Sequence, residues 1–227
     1  MLFRSETGQV VKQIHWQETP VRVVTEKREF AADRVIVTLP LGVLKAGRVR
    51  FVPALPEKKQ SAIASLGMGV LNKCYLRFPE VFWPDDVDWL EYVAEEHGEW
   101  TEWVSFTRTT GQPVLLGFNA ANRGREIEAM TDQEIVASAM QTLRTIYGDE
   151  IPEPTGSQIT RWASDPFALG SYSFAAVGST PQMRSDLARP LDDKLYFAGE
   201  ATNVEHYGTA HGAYQSGLRV AEEILKR

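Results

Sequence analysis

The apolar residues of this 227-residue chain arrive in short runs cut by turn-forming residues. Val35-Ile36-Val37 and Val114-Leu115-Leu116 are typical. Runs of that length between Gly, Pro, Asn and Asp read as strands, and they limit the chain to a sheet-containing fold. A bilayer-spanning helix needs roughly 20 mostly apolar residues, so no membrane association is expected. With 43% hydrophobic and 24% charged residues there is apolar mass for a real core, which excludes a disordered or low-complexity class.

Several functional classes drop out early. The stretch from Met1 to Glu6 lacks the apolar centre of a signal peptide, so the expected location is the cytoplasm. The single cysteine, Cys74, forms no internal disulfide and no thiolate zinc knuckle. The four histidines are scattered without an H-E-x-x-H pair, and no metal site is expected. A net charge of −6 argues against a nucleic-acid groove. The charge is uneven. Nine acidic residues and no Lys or Arg lie between Glu80 and Glu102, leaving the remainder slightly basic. Such a run reads as a solvated face or as a rim that attracts cationic ligands.

The pattern predicts strands over Gln9–Trp16, Val21–Thr25, Arg28–Ala31 and Arg34–Leu39, the last buried on both faces and stopped by Pro40. Pro56 opens a helix that Gly67 ends. Strands follow at Val70–Phe78, Trp89–Val93, Trp100–Thr107 and Pro113–Asn119. Thr131-x-x-Glu134 is a capping box, and an apolar stripe runs from Ile135 to Tyr147. Gln158–Trp162 and Leu195–Phe197 complete the strands. The final helix, starting near Thr209, carries Ala210, Tyr214, Gly217, Leu218, Ala221, Ile224 and Leu225 on one face. The class is α/β, strand-rich in its first half. No G-x-G-x-x-G phosphate-binding fingerprint occurs.

Three stretches carry chemistry. The first runs from Ala32 to Leu44 and contains Thr38-Leu39-Pro40-Leu41-Gly42. The second is Leu71-Asn72-Lys73, with Phe82-Trp83 after it. The third begins at Arg161-Trp162 and includes Asp165-Pro166 and Gly170-Ser171-Tyr172. It closes with Leu195-Tyr196-Phe197-Ala198-Gly199-Glu200-Ala201-Thr202 and Tyr207-Gly208-Thr209-Ala210-His211-Gly212-Ala213. A strand running through a glycine into a helix start is suited to a close-approaching anionic ligand.

In this order the motifs resemble the FAD-dependent amine oxidase family, in the branch of polyamine oxidases and lysine-specific histone demethylases. The resemblance runs from about residue 9 to the C-terminus. It implies a mixed-sheet substrate-binding domain flanked by helices, together with the C-terminal strands and last helix of a Rossmann-like FAD-binding domain. The glycine-rich N-terminal βαβ unit of that domain is missing. Residues 1–44 are then partial FAD-binding strands, 45–163 the substrate domain, and 164–227 the return to the FAD domain.

The resemblance also assigns residues. Lys73 is the catalytic position, holding a water against the flavin. Tyr172, Phe167 and Thr209 face the amine substrate. Val11, Thr38, Leu39, Pro40, Trp162, Gly199, Glu200, Thr209 and Ala210 contact FAD, with Glu200 towards its ribityl or pyrophosphate part. His211, read from its place at the start of the final helix rather than from the resemblance, is expected to be structural, satisfying buried backbone rather than serving as a base. The implied reaction is oxidation of a polyamine-like secondary amine by hydride transfer to FAD, with oxygen reduced to hydrogen peroxide. The implied partners are a small amine, oxygen and an N-terminal FAD-binding half. Because the FAD site is incomplete, a truncated remnant or one half of a split enzyme, unable to bind FAD alone, stands beside that reading.

Overall fold

A computed structural model describes residues 4–95 and 97–226. Met1 to Phe3 of the N-terminal stretch, Glu96 of the acidic run and Arg227 lie outside the described residues. In chain order the first elements are β1 (Val11–His15), β2 (Val21–Thr25), β3 (Glu29–Ala32), β4 (Val35–Val37) and α1 (Leu41–Lys45). Next come β5 (Arg50–Val52), α2 (Glu57–Ser65), β6 (Gly67–Met68), β7 (Leu71–Arg77), β8 (Trp89–Glu91) and β9 (Glu102–Ser105). The chain continues through α3 (Thr107–Thr110), β10 (Val114–Ala120), α4 (Ala121–Ile127), α5 (Asp132–Tyr147) and β11 (Gly156–Ile159). It ends with β12 (Ser173–Phe174), α6 (Pro181–Ala188), β13 (Leu195–Phe197) and α7 (Ala210–Leu225). Two compact units result. One is formed by the chain up to Met68 with the chain from Pro166 onward, the other by Gly69–Asp165.

In the first unit, β3-β2-β1 form an antiparallel meander and β5 joins β1 in parallel. Thr25 ties the Glu26-Lys27 turn, its Oγ1 accepting from the Lys27 and Arg28 amides. β4 pairs in parallel with β13, and β6 pairs with β12. The core gathers Ile14, Val21, Val37, Leu41, Ala62, Leu66, Leu195 and Phe197. Burial of such side chains contributes about 1.5–3 kcal/mol each. This unit runs past the expected boundary at residue 44, because the Lys45 ammonium at the end of α1 donates to the carbonyls of Ile63, Ala64 and Leu66 at the end of α2.

Two expectations are corrected here. β4 is not buried on both faces: Val37 packs in the core, but Ile36 is 47% exposed and belongs to no core cluster among the described residues. The apolar stripe read on the last helix also points outward. Tyr214 and Leu225 are 70% and 84% exposed. Gly212, Ser216 and Val220 form the buried face instead. Small residues let α7 lie close, and the Ser216 Oγ accepts the Gly199 amide proton at 2.8 Å.

The second unit is a five-stranded sheet, β11-β7-β10-β9-β8, antiparallel throughout. The mixed sheet lies in the first unit rather than in this middle segment. One face of the five strands carries Cys74, Leu76, Trp103 and Leu115, which pack with Ile135, Ala139, Met140 and Leu143 of α5. Gly117 is required there, since a Cβ would meet the Trp100 and Trp103 rings at 2.8 Å. The capping box at Thr131 and Glu134 forms in both directions. β11 ends at Ile159, earlier than expected, because the Trp162 amide leaves the ladder for the Asn72 Oδ1 at 3.0 Å.

Candidate active site

The first unit brings five of the expected residues to one place. Thr38, Leu39, Pro40, Gly199 and Glu200 line a cavity of about 240 Å³ at the ends of β4 and β13. Parallel strands with their C-terminal ends at a cavity are the usual setting for a ligand in such sheets. Val11 and Phe167 instead line a second cavity of about 640 Å³, with Leu39 bordering both. Phe167 is 64% exposed and Tyr172 is 40% exposed.

Gly199 takes a φ of +119°, and nothing lies within 4 Å of where its Cβ would be. That leaves space for a ligand to approach the backbone. At the start of α7 the Thr209 Oγ1 accepts from the Gly212 amide and donates to the His206 carbonyl. The Ala210 and His211 amides have no protein acceptor among the described residues. A helix start of this kind favours a negatively charged group. An open glycine beside it makes the residues present fit a polar, partly anionic cofactor edge.

Glu200 turns its carboxylate towards Ser173 and Gly208. Oε1 accepts from the Ser173 amide, while Oε2 accepts from the Ser173 hydroxyl and the Gly208 amide. It thereby pins the loop bearing Tyr172 to the loop leading into Thr209. Gly208, at φ +69°, lets the Tyr172 ring come close; a Cβ there would stand 3.4 Å from it. Arg184 completes the cluster, donating to the Ser173 Oγ and the Ala201 carbonyl beneath the Tyr207 ring. Burial pushes the Arg184 pKa down, and the facing Glu200 opposes that. His211 does not serve buried backbone: it is exposed, with its ring 4.9 Å from that of His206.

The second unit holds Lys73 and Trp162. Lys73 is half-buried on β7, its Nζ 6.0 Å from the Phe118 ring centroid, and its ammonium makes no hydrogen bond among the described residues. Its neighbour Asn72 is fully buried on the opposite face. The Asn72 Oδ1 accepts from the Trp162 amide, and its Nδ2 donates to Gly124 and to Glu128. Glu128 in turn accepts from the Ala163 and Ser164 amides. Burial raises the Glu128 pKa, but hydrogen bonds from Ser164, Asn72 and Ala163 outweigh it and hold the carboxyl below its ordinary range. The strand carrying Lys73 and the loop carrying Trp162 are therefore fixed to each other.

Sequence reasoning passed over Asn72, Glu128 and Arg184 as site-shaping residues. Only Asn72 leaves a signal, as a polar residue on the buried side of an alternating strand. The acidic run is also less uniform than it reads. Asp88 pairs with Arg108 and Glu99 with Arg123, both bases lying outside the run.

Among the described residues no group of His, Cys, Asp and Glu is arranged to hold a metal, and no helix is long and apolar enough to cross a membrane. A family profile described as flavin containing amine oxidoreductase matches residues 4–225. Lysine-specific histone demethylase 1 homolog 1 of Oryza sativa subsp. japonica is 40% identical over 225 residues, covering 96% of this chain and 26% of that protein. Polyamine oxidase 4 of the same organism is 41% identical over 221 residues, covering 97% of this chain and 45% of that protein. Among solved structures, a putrescine oxidase redesigned in its cofactor binding superposes with a TM-score of 0.82 at 20% identity, over 96% of this chain and 49% of its own. This chain thus spans between about a quarter and a half of the lengths of these three proteins. It belongs to the flavin-containing amine oxidoreductase family.

Proposed function

We propose that the chain forms the amine-facing part of an FAD-dependent oxidase of polyamine-like secondary amines. The first unit would contribute to holding FAD and to shielding the amine, and the second would bring Lys73. What carries the reading is Lys73, in the family's Leu-Asn-Lys context, half-buried on an anchored strand with an ammonium that makes no hydrogen bond or ion pair among the described residues. Bound flavin would supply the hydride acceptor. Lys73 Nζ would hold a water and move a proton. Tyr172 and Phe167 would shield the amine from solvent, and desolvation would keep the nitrogen neutral, with its lone pair available. The free amides at the start of α7 would favour negative charge on the cofactor. Overall, the amine becomes an imine that water hydrolyses, and oxygen is reduced to hydrogen peroxide.

The test is a chimaera of this chain with the N-terminal half of rice polyamine oxidase 4, assayed for peroxide with spermidine and with a monoamine. Peroxide release on spermidine is expected. A flavin-loaded chimaera inert to every amine would overturn the reading. The short span of this chain relative to its matches favours a second reading, a portion that binds no FAD alone; stoichiometric flavin on the isolated chain would end it.

A further inference from the structure

Strand alternation in the second unit sets Lys73, Phe118, Glu102 and Glu91 on one face of the sheet, in a row across four neighbouring strands. Lys73 pairs with Phe118, and Glu102 with Glu91. The β10–β9 register, Leu116 with Val104 and Gly117 with Trp103, sets Phe118 beside Glu102 when extended by one residue. The row spans three strand spacings, about 14 Å. Trp89 lies beside it, 53% exposed and stacked on Phe118 with centroids 5.8 Å apart at 21°. The sheet's other face is the one packed on α5.

The row is polarised. At one end stands the Lys73 ammonium, in the middle an aromatic pair, and at the other end two carboxylates. Glu91 and Glu102 are exposed and make no hydrogen bond or ion pair among the described residues. Like charges directly opposite in a sheet destabilise it, and a cation placed between them relieves the repulsion. Exposed aromatic faces carry alkyl segments and attract ammonium groups. We propose that this face is a track for a linear oligoamine, Glu91 and Glu102 holding its distal ammonium while Trp89 and Phe118 carry the alkyl stem. Lys73 repels the charged end and the acidic pair attracts it, so the ligand lies in one direction, with its neutral amine towards Lys73. The assignment of that end rests on the function proposed above.

The experiment uses the 227-residue chain without flavin and titrates it calorimetrically with spermidine and with heptylamine. Spermidine should bind more tightly. Exposed charge pairs are weak individually, so Glu91→Gln with Glu102→Gln should weaken spermidine by about fivefold and leave heptylamine unchanged. The double variant should unfold at the same denaturant concentration as the wild type or a higher one, since a like-charge pair is removed; this separates lost binding from lost folding. An equal effect on both amines, or none on either, overturns the proposal. So does a lysine-rich peptide that binds in preference to spermidine with the same dependence on the two glutamates. Binding as expected in a protein whose chimaera oxidises no amine would overturn the function and leave the track standing.

Discussion

Lys73 and Asn72 are adjacent in sequence and do opposite work because a strand sends neighbours to opposite faces. Asn72 is spent inside, on Gly124, Glu128 and the Trp162 amide. The Lys73 ammonium, on the other face, makes no hydrogen bond among the described residues and faces the Phe118 ring. Replacing Lys73 with Met in the flavin-loaded chimaera should slow flavin reduction or reoxidation by a factor on the order of 10–1000, the range for a lost proton-handling group. Stopped-flow traces of the two half-reactions decide it, and unfolding should be unaltered. Glu128 gives a pH signature. Its carboxyl is held lower in the folded protein than in the unfolded chain, so its stabilisation is present above the ordinary carboxylate range and fades as pH falls through the folded value. Urea midpoints should therefore drop on acidification, and Glu128→Gln should flatten that drop. The roles of Asn72 and Glu128 were poorly legible beforehand, since their partners lie between 35 and 90 positions away along the chain.

Helix ends show a recurring solution at the next scale. The last carbonyls of a helix lack intrahelical donors. At the end of α6 the buried Lys59 ammonium donates to the Asp186, Leu187 and Arg189 carbonyls, with the Phe197 ring 4.0 Å away. Lys45 does the same for α2. Lys59→Met should leave one buried and two partly buried carbonyls without this donor and cost about 2–3 kcal/mol. A denaturant midpoint shifted down at unchanged slope would show it; an unshifted midpoint would mean that water replaces the ammonium. Where elements carry their own signals, the reading from residues holds: the Thr131 capping box starts α5, Pro56 precedes α2, and Leu195–Phe197 is a strand at those bounds. It misses α1, α3, α4, β5, β6 and β12, which are short, and also α6, although Pro181 stands in its first turn.

Taken whole, six of the nine expected cofactor residues line two cavities of the first unit, and the one bearing Gly199 and Glu200, at about 240 Å³, falls below the roughly 300–1000 Å³ usual for small-molecule sites. The chain also has no glycine-rich phosphate loop. Purified alone, it should bind FAD weakly or not at all. A visible spectrum checks this, and a stoichiometric yellow protein would contradict it. Sequence alone determined the α/β class, the main strands, the capped helix and the family, because periodicity, caps and contiguous motifs are local and survive in one dimension. Only the tertiary structure decided which face of α7 is buried, where the Glu200 carboxylate goes, and that Glu91 and Glu102 stand in a row with Lys73. Those outcomes depend on strand register and on partners far along the chain, and neither is written in any single stretch of residues.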